Sequence, residues 1–518
     1  MNGSALLREE TLPRRPRLLG RLPLWWSGVL FPGTTESTAT SRAVLLGEVL
    51  LVLAAGLLCF WRLDCPLQEP EETLYAEVSR QMLVEDSFVV PLRHGREFYD
   101  KPPLLYWLVI GSYELFGVHD WAARLVPAGA AFLCVLATYL WGKATVGPRA
   151  ALAGALMLCL APRYAQMARM VTMNALLTLW VVAALAAAHQ ALRGGVLRRR
   201  WWLLSALACG LGFLSKGPVA VALVAVPVML YQLLDRRAAR AGLGWWVAYG
   251  AVVLLVALPW FVALAVRDPG FVHYFVWVHH VRRYVDPIDH PQPFWYYGPQ
   301  LLLGMMPWTL LLPGLVKHLA GRAAPEAPQR GGDLGLFLLA ASWALAFFSA
   351  AGCKRPSYIL PVMPPLALAL GCYVDAACRL GRLRPAYWAG AAVATFVLLL
   401  AAAEFLLPWY ADRYSVRARV EPHAAACADG VPVLCYPHLW DGVSFYLQRN
   451  DVQVFRAEEL ADLLSALERQ RRALVVIKED ASLERFLAAL PPALEFVACS
   501  RQHPVAVGWV RPRARRTD

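Results

Sequence analysis

The sequence predicts a polytopic α-helical membrane protein with a small α/β domain at its C-terminus. Of its 518 residues, 58% are hydrophobic and only 17% are charged, whereas a soluble globular chain has roughly 25% charged residues. The apolar residues also occur in uninterrupted runs of about 20, the length of a helix that crosses a hydrocarbon core of about 30 Å. Cytoplasmic Lys and Arg explain the formal net charge of +13 better than nucleic-acid binding does. Together these observations exclude a soluble enzyme.

The first 43 residues form a basic arm ahead of the first apolar run. Six Arg lie in residues 1–43, and the run at 44–61 has no small-residue cleavage site at its end, which is typical of an uncleaved anchor with a cytoplasmic N-terminus. Placing the later basic loops in the cytoplasm as well predicts roughly 11–13 spans within residues 44–408. The same count predicts that the loops 62–102 and 267–294 are periplasmic, together with the turn 353–357 and the tail from about 409.

One apolar segment conflicts with that count. Residues 104–117 are apolar, but a full span there would turn every later basic loop outward. The sequence therefore predicts a short, tilted or re-entrant helix at this position, unless a second span lies elsewhere.

Residues 409–518 are mixed and charged, which predicts a small periplasmic α/β domain. Helical patterns occur at 458–470 and 481–490, and strand-like apolar runs occur at 431–436, 452–455, 473–478, 495–499 and 505–510. No Gly-rich phosphate loop is present in this tail, so we interpret it as a scaffold or a cap on the acceptor side. One disulfide is possible among its cysteines, Cys427, Cys435 and Cys499, if the domain faces an oxidising compartment.

The loop 62–102 is long for a connection between spans, and long structured loops are often functional. Glu71 belongs to an acidic cluster at its start, and the spacing of the following apolar residues predicts an amphipathic helix in the membrane surface. Asp100 and Lys101 stand where the chain returns to the membrane. Taken alone, Asp100 and Lys101 fit two interpretations equally well, a structural ion pair that snorkels to the membrane surface and a functional site.

Charged residues also occur in the second loop and at the ends of two later spans. His280 and Arg283 lie three residues apart, so they share a face if the loop is helical. Such a His can bind an anion or a metal, or it can rest in the headgroup layer. Lys216 follows one apolar run, and Lys354 and Arg355 precede another; a charge at a membrane edge indicates a functional site because burying it unpaired is costly.

These cations converge on one face of the membrane, where they suit a phosphate or pyrophosphate on a lipid. The carboxylates of Glu71 and Asp100 suit a general base, or a metal ligand shared with His280. A lipid phosphate beside a base predicts group transfer from a lipid carrier.

A series of motifs resembles a known family. In order, PEETLYAEVSRQML, VVPLRHGREFYDKPPLLYW, LSKGPVAVAL, HHVRRY with PFWYYGPQLLLGMMPW, and KRPSYILPVMPPLAL are similar to bacterial GT-C glycosyltransferases. The resemblance is greatest to the lipid A aminoarabinose transferases, with protein O-mannosyltransferases as more distant relatives. It covers about residues 44–408, whereas the tail resembles the periplasmic domain of that group only loosely.

The resemblance implies roles for individual residues. Glu71 and Asp100 match the acidic residues of the periplasmic loops, and Asp100 with His280 matches a divalent-metal pair. Tyr358 matches a hydrogen-bond donor to the phosphate, and the cations that match or suit the donor phosphate site are Lys101, Lys216, Arg283 and Lys354. One residue departs from the pattern, because Asn174 stands where the family often has an acid. This departure implies a different acceptor or a loss of some activity.

The resemblance also implies the reaction. Such enzymes transfer a sugar with inversion from a polyprenyl-phosphate carrier to an envelope glycolipid, glycan or protein on the periplasmic face of the bacterial inner membrane. Glu71 would deprotonate or orient the acceptor, and no nucleic acid takes part. Two alternatives remain open at this point, a flippase for a lipid-linked sugar and, because of Asn174, a non-catalytic partner in an envelope complex.

Overall fold

The described residues between 38 and 427 are mainly helical, and those after 427 form a mixed sheet with helices. The structure is a computed structural model that describes residues 38–286, 289–321, 332–427, 430–470, 472–502 and 504–513. The chain divides into two units, Met1–Ala43 and Val44–Asp518. Most of the predicted N-terminal arm, residues 1–37, lies outside the described residues.

Residues 38–267 are helical apart from one short hairpin and the connecting loops. Its helices are α1 (Thr38–Phe60), α2 (Glu71–Val84), α3 (Leu104–Phe116), α4 (Asp120–Thr145), α5 (Pro148–Cys159), α6 (Pro162–Met167), α7 (Met173–Leu192), α8 (Arg199–Lys216), α9 (Val219–Leu234) and α10 (Leu243–Arg267). The strands β1 (Leu92–Arg93) and β2 (Arg96–Glu97) form an antiparallel hairpin between α2 and α3.

The loop after α10 is helical as well. It runs through α11 (Gly270–Val272), a π-helical stretch (His273–Arg282) and α12 (Arg283–Val285). The membrane part then ends with α13 (Tyr297–Gly304), α14 (Leu312–Ala320), α15 (Gly332–Ala350), a 3-10 turn (Pro356–Val362) leading into α16 (Met363–Arg379), α17 (Pro385–Ala401), a π-helical turn (Ala402–Leu406) and α18 (Leu407–Tyr414).

The number of membrane-crossing helices is lower than the predicted 11–13. In the described part of the chain, seven helices are long and apolar enough to cross a membrane, or eight if the bent pair Phe294–Gly304 and Trp308–Ala320 is one span. That pair bends by 103°, at Pro307, which cannot continue a helical hydrogen-bond ladder. The count also falls because α3, α5 and α9 are apolar helices of only 10–17 residues. Since α3 has 13 residues, the prediction of a short helix at 104–117 is confirmed.

Small residues allow two of the buried helices to pack closely. The backbones of α5 and α16 approach at Gly154 and Gly371, where a Cβ on Gly371 would lie 2.6 Å from the Gly154 nitrogen. Such approach is a common use of glycine between membrane helices. The contact holds α16, and therefore the 356–362 turn that leads into it, against the centre of the bundle.

The apolar stripe of helix α2 packs on protein, whereas the sequence predicted an amphipathic helix that lies in the membrane surface. Its apolar stripe, including Val78 and Met82, packs against Tyr106 and Ile110 of α3. The opposite, polar face is buried too, since the exposed fractions of Glu77 and Arg80 are 0% and 2%. Amphipathic spacing indicates which face is apolar, but it does not distinguish lipid from protein as the partner.

The tail forms the predicted α/β domain. Its five-stranded sheet has the order β4-β3-β5-β7-β6 and contains β3 (Val433–Tyr436), β4 (Gln453–Val454), β5 (Ala473–Lys478), β6 (Leu494–Gln502) and β7 (Val505–Pro512). The β3–β4 and β3–β5 pairs are parallel, and β7 pairs antiparallel with β5 and β6. The helices of the tail are α19 (Arg417–Val420), α20 (Ala424–Cys427), α21 (Asp441–Leu447), α22 (Leu460–Glu468) and α23 (Ala481–Ala489). Cys427, Cys435 and Cys499 are free thiols, so the disulfide that the sequence left open is not formed among these described residues.

Helix α21, which the sequence did not predict, binds the tail to the loop 62–102. Asp441 at its start accepts hydrogen bonds of 2.8–2.9 Å from Arg93 and one of 2.8 Å from His94 in the hairpin. Although burial opposes it, these bonds from His94 and Arg93 hold the pKa of Asp441 below its ordinary value. The backbone N–H of Gly442 donates to Glu69 Oε1 at 2.9 Å. The α/β domain is therefore fixed to the loop that carries Glu71, Asp100 and Lys101.

The glycine contact between α5 and α16 gives the first testable prediction. Gly371→Ala should lower the melting temperature, because the new methyl group overlaps the α5 backbone and overpacking costs about 1–3 kcal/mol. Gly335→Ala in α15 is the matched control, since a Cβ there meets nothing within 4 Å and Ala favours a helix by about 1 kcal/mol. Thermal unfolding of the purified protein measures both, and equal melting temperatures would contradict the close contact.

Candidate active site

Two adjoining cavities contain most of the predicted site residues. Cavity A, of about 100 Å³, is backed by Phe347 and Phe348 of α15 and carries His279 and His280 in its wall. Cavity B, of about 170 Å³, carries Glu71 and Asp100. Four residues line both cavities, namely Lys101, Lys216, Arg283 and Tyr358. The structure thus brings together seven of the eight predicted site residues, from four separate parts of the chain.

The two lysines have only neutral hydrogen-bond partners in the described residues. Lys101 Nζ donates to the Asp100 carbonyl at 3.0 Å and lies 2.9 Å from His279 Nε2. Lys216 Nζ donates to Asn174 Oδ1 at 2.7 Å and lies 3.9 Å from the centre of the Tyr358 ring. Neutral partners hold an ammonium group in place without cancelling its charge. Both cations therefore remain available to an anion.

The pKa of Lys101 reflects this arrangement. Burial lowers it to about 8, and the nearby Arg283 and Arg355 act in the same direction while Asp100 opposes them. The side chain is protonated below pH 8 and loses its charge as the pH rises through that value. An anion bound beside it would stabilise the protonated form.

The two arginines of the site are paired with acids. Arg283 Nη2 donates to Asp289 Oδ2 at 2.7 Å. Arg355 forms an ion pair with Glu71, and its second amino group lies 2.9 Å from His290 Nε2. Glu71 therefore enters cavity B already paired with Arg355.

Asp100 and His280 do not form the predicted metal pair. Asp100 Oδ1 accepts from the Tyr274 hydroxyl at 2.6 Å and lines cavity B, whereas His280 lines cavity A and its Nδ1 lies 2.6 Å from the Phe275 carbonyl. No group of three or more His, Cys, Asp or Glu able to hold a metal occurs in the described residues. Because these donors have separate partners, the residues present do not fit a metal centre.

His280 has a packing role instead. Its Nε2 would lie 2.7 Å from a Cβ on Gly217, so only glycine allows the ring to rest against the end of α8. Gly217 also has a positive φ of 83°, which L side chains rarely adopt. The contact fixes the 273–285 helical segment beside Lys216.

Lys354 lies away from both cavities. Its exposed fraction is 4%, and Nζ donates to the Gln292 carbonyl at 2.9 Å and to the Ala351 carbonyl. It closes the loop between α15 and α16, and its neighbour Arg355 lines cavity B in its place. The backbone at Arg355 is extended, with φ −120° and ψ 148°, and successive side chains of an extended segment point to opposite sides.

Sequence reasoning missed three side chains that support the cations. His279 contacts Lys101, Asp289 pairs with Arg283, and Asn174 accepts from Lys216. His279 and Asp289 belong to the motif HHVRRYVDPID, whose charge and His content is the signal that could have pointed to them. Asn174 stood out only as a departure from the family pattern.

Comparison with known proteins is consistent with this geometry. The family model described as dolichyl-phosphate-mannose-protein mannosyltransferase matches residues 68–275. An undecaprenyl phosphate-alpha-4-amino-4-deoxy-L-arabinose arabinosyl transferase 1 from Sodalis glossinidius (strain morsitans) is 37% identical over 367 residues, which are 68% of this chain and 63% of the relative. The corresponding transferase from Pseudomonas aeruginosa (strain UCBPP-PA14) is 35% identical over 64% of this chain and 60% of its own length.

A solved structure shows the same fold. ArnT from Cupriavidus metallidurans bound to undecaprenyl phosphate aligns with a TM-score of 0.71 and 24% identity, covering 89% of this chain and 97% of that chain. The chain is similar in sequence and fold to these aminoarabinose transferases. The predicted resemblance and the fold, a multi-pass helical membrane protein with a C-terminal mixed sheet, are thereby confirmed. The chain spans between 55% and 63% of the length of the curated relatives it matches.

The different surroundings of two lysines give a stability prediction. Lys216→Met should raise the melting temperature by about 2 °C, because it removes one of several mutually repelling cations, as often happens when a functional site is neutralised. Lys354→Met should lower the melting temperature, since it leaves two carbonyls without their donor at a cost of roughly 1–3 kcal/mol each. Thermal unfolding of both variants, side by side, checks the contrast. Destabilisation by both would mean that Lys216 is also a structural clamp.

Proposed function

We propose that the protein is a membrane glycosyltransferase that moves a sugar from a polyprenyl-phosphate carrier to a cell-envelope acceptor. The observation that carries this proposal is the pair of lysines with neutral partners, which offers two uncompensated cations to a phosphate. By analogy with the relatives, the donor is an undecaprenyl-phosphate sugar and the acceptor is a lipid A-type glycolipid. The proposed location is the bacterial inner membrane, with the site and the α/β domain in the periplasm.

An apolar groove beside cavity A supports a prenyl-linked donor. This groove, of about 420 Å³, is lined by side chains of α10, α11 and the π-helical stretch, such as Leu254, Phe261 and Val276. His280 lines both the groove and cavity A. A carrier whose chain lies in the groove would therefore have its phosphate among the cations. Transfer of the apolar chain out of water contributes about 25 cal/mol for each Å² buried.

The proposed mechanism uses the cations where negative charge develops. As the bond between the anomeric carbon and the phosphate oxygen breaks, that oxygen keeps the electron pair, and the leaving polyprenyl phosphate gains charge. Lys101, Lys216 and Arg283 stabilise this charge more strongly in the transition state than in the bound donor. The acceptor oxygen attacks from the opposite face of the sugar, which inverts the anomeric centre.

Lys101→Ala should reduce transfer by at least about 100-fold, the loss expected when a donor to a developing anion is removed. Lys143→Ala is the matched control, because Lys143 pairs with Glu48 at 2.6 Å and lines none of the described cavities. The assay measures free undecaprenyl phosphate and glycosylated acceptor formed by the purified protein. Wild-type turnover by Lys101→Ala would overturn the assignment. Movement of intact carrier between leaflets of a liposome, with no release of free carrier, would instead identify a flippase.

The lowered pKa of Lys101 predicts how carrier binding depends on pH. Because the lysine is charged only below a pKa of about 8, undecaprenyl phosphate should bind about tenfold more weakly at pH 9 than at pH 7. The second ionisation of a phosphate monoester has a pKa of about 6, so the ligand is already almost fully ionised at pH 7 and changes little in this window. Binding titrations between pH 7 and pH 9.5 check the prediction. Lys101→Arg keeps its charge throughout and should remove most of the decline, whereas an unchanged decline in that variant would assign the titration to another group.

A further inference from the structure

A third cavity lies apart from the two that hold the lysines. Cavity C, of about 400 Å³, is bounded by α6 and the turn after it, by the start of α2 and by the last helix of the membrane part. Its walls are largely apolar on the side of that last helix, where they consist of Leu399, Ala402, Ala403, Leu406 and Leu407. It shares no lining residue with cavity A or cavity B.

Among the charged side chains that line cavity C, one cation has no acidic partner in the described residues. Glu72 accepts two hydrogen bonds from Arg124, of 2.9 and 2.7 Å. Arg62 donates to Glu404 at 2.9 Å. Arg169 is only 8% exposed, yet its Nε and Nη1 have no hydrogen-bond partner among the described residues. A guanidinium is always charged, and burying one without a partner is costly. Such a group at the edge of a cavity indicates an anionic ligand.

Cavity C opens toward the part of the surface that faces lipid. Leu406 and Tyr410, both in its wall, are 59% and 43% exposed. The helical span 385–414 to which they belong is long and apolar, and only 17% of an apolar 18-residue stretch within it is buried inside the protein. A ligand with apolar chains could therefore keep the chains in the membrane while its headgroup reaches Arg169.

A thin partition separates cavity C from cavity B. The consecutive residues Glu71 and Glu72 line cavities B and C respectively. Met170 lines cavity C and Thr172 lines cavity B, while the Val171 N–H between them donates to Glu72 Oε1 at 3.0 Å. A ligand in cavity C would thus lie across this partition from the cations that hold the donor phosphate.

We propose that cavity C binds the anionic headgroup of the acceptor lipid and that Arg169 is its specificity-determining contact. The identification of this lipid as the acceptor rests on the proposed function. Binding of an anionic lipid at Arg169 does not depend on that function. The chemistry required is a phosphate or carboxylate on a membrane amphiphile. A guanidinium fork can bind either group through two parallel hydrogen bonds.

The first experiment measures lipid binding without any transfer. The full chain carrying Lys101→Ala, which removes the main phosphate contact of cavity A, is reconstituted in phosphatidylcholine nanodiscs. Dioleoyl phosphatidic acid and dioleoylglycerol, which differ only in the phosphate, are then compared as probes by native mass spectrometry. Arg169→Gln should weaken phosphatidic acid binding roughly tenfold, the loss of a charge-assisted pair, and leave dioleoylglycerol unchanged.

The matched control is Arg163→Gln, six residues earlier. Arg163 donates to Gln166 and Gln300 at 2.9 Å and does not line cavity C, so its loss should not change phosphatidic acid binding. Arg169→Lys keeps the charge and should restore part of the affinity, which separates a charge contact from a folding defect. Equal phosphatidic acid binding by the Arg169→Gln and Arg163→Gln chains would overturn the proposal, as would equal binding of the two probes.

The second experiment tests the assignment to the acceptor. In the transfer assay with Lys101 restored, Arg169→Gln should raise the KM for a phosphorylated acceptor lipid and leave the KM for the donor unchanged. A raised donor KM with an unchanged acceptor KM would overturn the assignment. If no variant transfers sugar, the proposed function fails, and the binding experiment still decides whether Arg169 holds an anionic lipid.

Discussion

The site depends on two ammonium groups that are held in place without being neutralised. Lys101 contacts a carbonyl and the His279 ring, and Lys216 contacts an amide and the Tyr358 ring. Each contact fixes an ammonium group and leaves its charge intact, so the cations repel one another. This repulsion costs stability in the free protein and is relieved when an anion binds. The surrounding structure must therefore be rigid enough to keep the lysines together.

Two sets of contacts on the loop 62–102 supply part of that rigidity. On one side, Arg124 donates to Glu72 and also to the carbonyls of Leu63, Cys65 and Pro66, which joins the loop to α4. On the other side, Asp441 of the α/β domain binds Arg93 at 2.8 Å, and Arg93 itself lines cavity B. The domain that the sequence indicated only as a scaffold or cap thus contacts a wall of the site directly.

The sequence predicted well which residue types belong to the site. It did not predict which of two neighbouring residues faces the site. Lys101 and Lys216 stood out because charges at the ends of apolar runs are rare. Lys354 and Arg355 stood out equally, but the extended backbone at Arg355 directs one of them inward and the other into a loop. His279 and His280 lie in a π-helical stretch, whose phase no α-helical spacing describes. Asn174 contacts Lys216 only because α7 packs on α8, and such packing between helices gives no signal in the local sequence.

The ion pair between Arg355 and Glu71 bears on the role of that acid. A general base must have a carboxylate oxygen free to reach the proton that it removes, and Oε1 of Glu71 is occupied by Arg355. Glu71 is therefore better suited to holding Arg355 in cavity B than to removing a proton. Under the proposed function this suits an acceptor whose attacking oxygen is already ionised, since a phosphate needs no base and gains from a nearby guanidinium. Across the partition, Nε and Nη1 of Arg169 have no hydrogen-bond partner among the described residues. This buried charge points to the same class of acceptor, because a neutral hydroxyl would not balance it.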